Sequence, residues 1–296
     1  MTVLIDTPLW PAHGTLWSHL VSDLSLDELH DFAARAGIAR RAFDLDHYDI
    51  PEGRFAELVE LGAVHTERRE IVRRLAASGL RVAGHARGAA KRDALQARWE
   101  ALLPGASAVG ADLLDRWSEP HRSYHGLGHL THVLDSLVVL DPERVAPRAV
   151  ALALWFHDAV HAGVAGDDEA ASAALAGAVL GTRLTEGEVT EIQRLVLLTA
   201  HHSPDPTDHA GALVCDADLA ILGSAPDRYT RYTEQVRREY AHVPDALFRP
   251  ARAEVLERLL AGGPLFRTAV GSARWEDTAH RNLEQEIRGL RSSTHG

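Results

Sequence analysis

Two hydrophobic rhythms divide the chain. Residues 1 to about 80 mix short extended runs with short amphipathic stretches, whereas from Asp93 onward the apolar positions recur at helical spacing. Residues 2–5 (TVLI) form an apolar run that predicts a strand, with Asp6 at its end. Ser25-Leu26-Asp27-Glu28 has the form of a capping box, and the helix it opens is expected to run through Ala36 and stop at Gly37. Residues 43–50 read as a second extended segment, closed by Pro51, and short helices are expected over 54–61 and 67–77. Together these predict a small α/β domain over residues 1–80.

The stretch SGLRVAGHARGAAKR that follows is rich in Gly, Ala and Arg and poor in large apolar side chains, which predicts a linker over 81–92. Beyond it, helices are expected over 94–103, 108–117 and 129–140. The run AVALALWF after Pro147 reads as a buried helix. Thr185-Glu186-Gly187-Glu188 is a second capping box, opening a helix through about His201. Pro226 is placed to start a further helix, and others are expected over 244–260 and 275–290. No alternating strand pattern appears, so residues 93–296 are expected to form an all-α helical bundle.

With 296 residues, 46% of them apolar and 25% charged, the chain has the profile of a soluble protein of one or two domains. Its single cysteine, Cys215, excludes an intrachain disulfide and fits a reducing cytoplasm, the expected location. No apolar run approaches the ~18 residues of a transmembrane helix, so no membrane partner is expected. The N-terminus MTVLIDTPLW lacks the basic start of a signal peptide. A net charge of -11 repels phosphate backbones at long range, and nucleic acid is not an expected partner. A small phosphorylated ligand stays open, because a bound metal and a few arginines can outweigh the global field. A homo-oligomer stays open as well.

Four segments of the helical part concentrate candidate metal ligands: YHGLGHLTH (124–132), WFHD (155–158), AHH (200–202) and CDADL (215–219). Imidazole and carboxylate without thiolate suit Mn, Fe, Co, Ni, Zn or Mg. A His-Asp pair directly after an apolar run is costly to bury unless a positive charge compensates it. His157 and Asp158 diverge by ~100° on a helix, so a shared ion must lie in the wedge between them. His125 and His129, four apart, can share a face, although Gly126 and Gly128 make a regular helix there less secure.

The ordered set YHGLGH, WFHD and CDADLAILG resembles the HD superfamily of metal-dependent phosphohydrolases. EPHRSYHGLGHLTHVL, with RYTRYTEQVRREYAHVPDALFRPARAEVLERLL downstream, is similar to a bacterial branch described only as predicted metal-dependent HD phosphohydrolases. The resemblance spans about residues 93–290. It implies His129, His157, Asp158 and Asp218 as metal ligands, with Asp218 preferred to Asp216 because the last aspartate of the set typically follows a small residue. It implies one divalent ion, with histidines enough for a second. His125 would protonate the leaving oxygen and Glu169 would orient water. Arg122, His201, His202, Arg238, Tyr240 and Arg252 are the candidate substrate contacts, with Arg249, His121, His132 and His161 as further possibilities. Residues 1–80, containing WSHLVSDLSLDELHDFAARAGIARRAFDLDHYDIP, resemble a small domain family without an assigned function; Asp6, His19, Asp23 and Asp46-His47-Tyr48-Asp49 could line a polar cleft there.

The expected reaction is hydrolysis of a phosphoester or phosphoanhydride in a nucleotide or other small phosphorylated metabolite, by metal-activated water. Two alternatives differ in class. An HD-fold dinuclear-iron oxygenase would draw its extra ligands from His161, His201 and His202. A non-catalytic nucleotide-binding sensor would use the N-terminal domain as output.

Overall fold

The run VLID at the start of the chain is buried along its whole length and forms β1 (Val3–Asp6). In the computed structural model, which describes residues 2–12, 15–82, 87–164 and 166–292, it lies inside a six-stranded mixed sheet. The other strands are β2 (Trp10–Ala12), β3 (Thr15–Ser22), β4 (Phe43–Asp44), β5 (His47–Pro51) and β6 (Val64–Thr66), and the order is β4-β5-β3-β1-β6 with β2 paired to β3. β3 runs antiparallel to β1 and β5, whereas β6 runs parallel to β1. Helices α1 (Leu26–Arg35), α2 (Phe55–Glu60) and α3 (Arg68–Ala77) complete this unit.

Ser25 caps α1, its hydroxyl accepting the Glu28 N–H at 3.1 Å, and Gly37 takes the left-handed conformation that ends it. One sheet face packs Val3, Ile5, Leu20 and Ile50 with Leu29 and Phe32 of α1. The other packs Leu4 and Val21 with Ile71 and Leu75 of α3. The extended segment expected over 43–50 is two strands, because Leu45 adopts φ 62° and turns the chain between them. β3 was not apparent in the apolar pattern: Ser18 and His19 interrupt it, and the His19 ring is accommodated by Asp6 across from it on β1.

The chain divides into units Met1–Ala94 and Leu95–Gly296. Of the expected linker, residues 83–86 lie outside the described residues, while 87–92 belong to the helix α4 (Arg87–Leu102). Alanine-rich, lysine- and arginine-bearing sequence favours helix as readily as linker. The second unit is built from α5 (Ser107–Arg116), α6 (Leu127–Leu140), α7 (Arg148–Phe156), α8 (Asp167–Leu180), α9 (Glu186–Leu198), α10 (His209–Leu219), α11 (Pro226–Glu239), α12 (Asp245–Ala261) and α13 (Ala269–Ser292). Thr185 and Glu188 form the reciprocal box that opens α9, and Pro226 stands in the first turn of α11. α9 stops at Leu198, a turn short of the expected His201. No helix among the described residues is long and apolar enough to cross a membrane.

α7 is the centre of the bundle. Seven of its nine residues are buried, as expected of a helix apolar on all sides, and it packs against α6, α8, α9 and α10. Trp155 and Phe156 at its end meet Trp99, whose ring lies 5.2 Å from that of Trp155. Trp99 in turn presses on Gly110, where a Cβ would stand 2.3 Å from the indole. The Trp117 indole donates to the Trp155 carbonyl at 3.1 Å, tying α5 to the end of α7.

In the first unit, the His30 ring lies 2.9 Å from the Tyr48 hydroxyl, whose proton a neutral imidazole can accept. Burial, reinforced by Arg40, lowers the His30 pKa to about 4. The unfolded chain therefore binds a proton between pH 6.5 and 4 that the folded unit refuses, so stability is present above this window and lost as pH falls through it. Protection of the β3 and β5 amides relative to their intrinsic exchange rates should fall as pH drops through that range, and His30→Gln should remove this part of the pH dependence.

Candidate metal centre

His157 is the cap residue that ends α7, and Asp158 follows it, so the most buried helix delivers both side chains. α6 supplies His129, buried to 3% exposure, and α10 supplies Asp218. The Nε2 atoms of His129 and His157 are 3.1 Å apart. Asp218 Oδ1 lies 3.1 Å from the first and 3.5 Å from the second. Asp158 Oδ2 lies 3.2 Å from His157 Nε2 and 3.6 Å from His129 Nε2. His202 Nε2 is 2.7 Å from Asp218 Oδ2. His202 has φ 50°, uncommon for a non-glycine residue, and holds that conformation with its ring on the carboxylate.

The electrostatics are those of a site short of positive charge. Burial opposes a charged His157, yet Asp158 and Asp218 hold its pKa well above the ordinary value. Burial lowers the pKa of His129 despite Asp218. Burial also disfavours both carboxylates, but His157 holds them below the usual carboxylate range, helped at Asp218 by His129 and His202. His157 Nδ1 lies 2.9 Å from the Leu154 carbonyl and donates there, which turns Nε2 towards the cluster, where it can carry a proton or ligate a cation. His129 Nδ1 is buried with no hydrogen-bond partner among the described residues. Donors about 2.0–2.2 Å from one cation stand about 3.0–3.6 Å apart when adjacent. The separations of 3.1 to 3.6 Å fit that requirement, and so does the chemistry of two imidazoles and two carboxylates.

Asp216 does something else. It is fully buried and accepts the Arg267 N–H (2.8 Å), the Thr268 N–H (2.8 Å) and the Thr268 hydroxyl (2.7 Å), pinning the segment that leads into α13.

Two carboxylates shape the rim of the cluster by collecting backbone N–H groups. Glu239, the last residue of α11, accepts from Ser123, Tyr124 and His125 through Oε2 at 2.8, 2.9 and 3.1 Å. Its Oε1 bonds His125 Nδ1 and lies 3.0 Å from His161 Nε2. Burial raises the Glu239 pKa and the two histidines more than reverse that, leaving it strongly lowered. Asp168 accepts the N–H groups of Ala162, Gly163 and Val164 at 3.0, 2.7 and 2.9 Å, closing the loop after Asp158. Beside this rim a cleft of about 520 Å³ is lined by His121, His161, Gly163, Glu239, Tyr240 and His242, among others. Gly163 has φ 82°, and a Cβ there would meet the Tyr240 ring at 3.4 Å.

Several expected substrate contacts are placed elsewhere. Arg122 is buried over the Trp117 ring and donates to the carbonyls of His125, Asp158 and Ala159 at 3.1, 2.7 and 3.3 Å, so it braces the chain. Arg252 pairs with Glu286 at 2.9 Å and the Tyr232 hydroxyl at 2.8 Å, and Arg249 caps the end of α13 through the Gly289 and Leu290 carbonyls. Glu169 accepts the Gly166 N–H at 2.6 Å and is spent on the start of α8; its neighbour Asp168 shapes the loop. His201 and Arg238 are exposed. Tyr240 does line the cleft. Glu239, between Arg238 and Tyr240 in the sequence, was not singled out, since an acidic residue in a helix's last turn carries no local mark of its use.

Residues 3–78 match the model of a family described as a protein of unknown function, DUF4031. That match lies within the sheet unit. No curated protein and no solved structure matches the chain.

The division of labour within the CDAD segment has a measurable consequence. Asp216→Ala strands three donors, two of them backbone, and should lower unfolding stability by about 2–3 kcal/mol in denaturant melts. Asp218→Asn keeps the shape of a side chain that holds no backbone segment, and should cost clearly less.

Proposed function

We propose that the helical unit is a metal-dependent phosphohydrolase that uses His129, His157, Asp158 and Asp218 to hold a divalent cation of the Mn, Fe, Co, Ni, Zn or Mg group. The reading rests on one observation above others: five donor–donor separations between 3.1 and 3.6 Å within a set of two buried imidazoles and two half-buried carboxylates. When bound, such a cation lowers the pKa of a water and polarises a phosphoryl oxygen. The substrate is a small phosphorylated metabolite, nucleotides included, supported by the resemblance of YHGLGH, WFHD and CDADLAILG to HD phosphohydrolases and by the imidazole-rich cleft alongside.

The chain's own residues divide the remaining work. Glu239 binds His125 at Nδ1, which orients the ring and leaves Nε2 as the nitrogen that can give up a proton to a leaving oxygen. Burial opposes a charged His125, and Glu239 overcomes it, so the pKa is raised, which favours the protonated ring that a general acid needs. His161, its ring 4.3 Å from that of His125, shares the same carboxylate. His202 bonds Asp218 and steadies the carboxylate's orientation. Tyr240 and His121 offer polar groups to a bound phosphate or its carrier from the cleft wall.

Metal analysis of the full chain, paired with phosphate release across nucleotides and sugar phosphates, tests the assignment. Asp158→Ala and Asp218→Asn should each lose the metal of the helical unit and the activity together. Full occupancy in Asp158→Ala would overturn the ligand set.

His125→Ala should keep its metal and slow substrates with poor leaving groups by about 10²–10⁴-fold, the usual cost of a lost general acid. A nitrophenyl ester, whose leaving group needs little protonation, should be far less affected. Equal slowing of both substrates would remove His125 from that role.

A further inference from the structure

The sheet unit carries a second cluster of metal-ligating side chains, assembled by strand register. His19 of β3 lies opposite Asp49 of β5, and Leu20 opposite Tyr48. His47 and Asp49 are two apart on β5, so they point to the same face. Ile5 pairs with Leu20, which places Asp6 across from His19 on β1. Asp6, His19 and Asp49 therefore form a row across three adjacent strands, with His47 on its diagonal. The row lies on the same face as Leu4 and Val21, which pack against Ile71 and Leu75 of α3. Tyr48 points to the opposite face and belongs to the apolar core, while Asp23 pairs with Arg74, so neither joins the cluster.

The hydrogen bonds set the direction of both imidazoles. His19 Nδ1 lies 2.9 Å from Asp6 Oδ2, and Asp6 Oδ1 also accepts the His19 backbone N–H. His47 Nδ1 lies 2.6 Å from Asp46 Oδ1, whose other oxygen accepts the Val82 N–H at 2.7 Å. Asp6 and Asp46 are buried at 2% and 3% exposure, so these are fixed partners. Each ring thus donates Nδ1–H to a buried carboxylate and keeps Nε2 for another purpose, the arrangement in which a second carboxylate orients a metal-binding histidine. Ligand atoms of His19, His47 and Asp49 lie within 4.8 Å of one another. Asp49 Oδ1 is shielded from solvent with no hydrogen bond of good geometry, and His47 Nε2 stands 3.2 Å from it. In the neutral ring, that contact sets a lone pair against a carboxylate oxygen, which a metal cation or a proton on Nε2 relieves. Trp10 stacks on His19 with ring centroids 6.1 Å apart and planes 5° from parallel, walling one side.

We propose that Nε2 of His19, Nε2 of His47 and the carboxylate of Asp49 bind a borderline divalent cation, Zn²⁺ or a neighbour such as Fe²⁺, Co²⁺ or Ni²⁺, at a site independent of the one in the helical unit. Two imidazoles and one carboxylate suit these ions and not Ca²⁺ or Mg²⁺, which take oxygen ligands. Three protein ligands leave coordination positions open, the pattern of a site that takes water or an exchangeable ligand. The occupant that competes with the metal is a proton. Against the burial that opposes it, Asp46 and Asp49 raise the His47 pKa to about 9, so the empty cluster balances its charge as an imidazolium.

Zn²⁺ titrated calorimetrically into the full chain separates the two sites. An equivalent of Zn²⁺ should persist in Asp218→Asn and be weakened at least about 100-fold in Asp49→Asn and in His47→Asn. Asp6→Asn, which removes only the carboxylate behind His19, should weaken it about 10–100-fold. Phosphate release by the helical unit should be unchanged in Asp49→Asn, and circular dichroism should report native secondary structure. Asp49 is partly exposed and its replacement keeps shape, so this variant stays informative if His47→Asn does not fold. Failure of the helical-unit reading removes the Asp218-sensitive equivalent and leaves this one in place. Zn²⁺ binding unaltered in Asp49→Asn, or no equivalent that survives Asp218→Asn, would overturn the proposal and leave the cluster as an imidazolium–carboxylate network.

Discussion

A carboxylate at the end of a helix buried on every side is the constraint around which the second unit is arranged. Beyond its first turn α7 is apolar, so His157 and Asp158 emerge from its buried end, and their charge has to be met by whatever packs there. α6 brings His129, α10 brings Asp218, and His202 closes on the far side of Asp218 from a left-handed backbone. Each contribution is polar where an ordinary bundle would be apolar. The aromatic packing of Trp99, Trp117, Trp155 and Phe156 directly behind the cluster supplies the burial that a purely apolar centre would have given.

The loops around the cluster are held by carboxylates that act on backbone. Glu239 gathers three successive N–H groups before α6, Asp168 gathers three after Asp158, and Asp216 fixes the entry to α13. Arg122 does the complementary task, satisfying three carbonyls with one buried guanidinium. A loop that curves around a charged centre cannot use helix or sheet partners for its own N–H and C=O groups, and buried groups left unpaired are costly. Side chains that resemble free catalytic acids and phosphate-binding arginines are therefore consumed in keeping the rim in place.

The two units place histidine beside aspartate by different means. In the bundle, sequence neighbours His157 and Asp158 converge at the end of α7 and the site closes through residues far apart in the chain. In the sheet, the period of two along β5 and the register with β3 bring His47, Asp49 and His19 to one face, with Asp6 and Asp46 behind the rings.

Helix positions were legible because they depend on local matters: the Ser25 and Thr185 caps, Pro226, and an apolar run long enough to be α7. The residues converging in the bundle were legible in part, since His-Asp after such a run is costly to bury, while His129 and Asp218 were picked out among neighbouring candidates by the resemblance to HD phosphohydrolases. β3 was not, because His19 breaks its apolar pattern and is acceptable there only once Asp6 of β1 and Asp49 of β5 stand across from it. Nor could sequence separate Asp168 from Glu169, or Glu239 from Arg238 and Tyr240. Neighbouring residues offer similar chemistry, and which of them faces the loop is decided by helix phase and packing. The sequence by itself determined which chemical groups were present and which helices carried them. Tertiary structure alone decided which of those groups were spent on backbone and which were left facing one another, because a hydrogen bond to a distant N–H leaves no trace in the local pattern of residues.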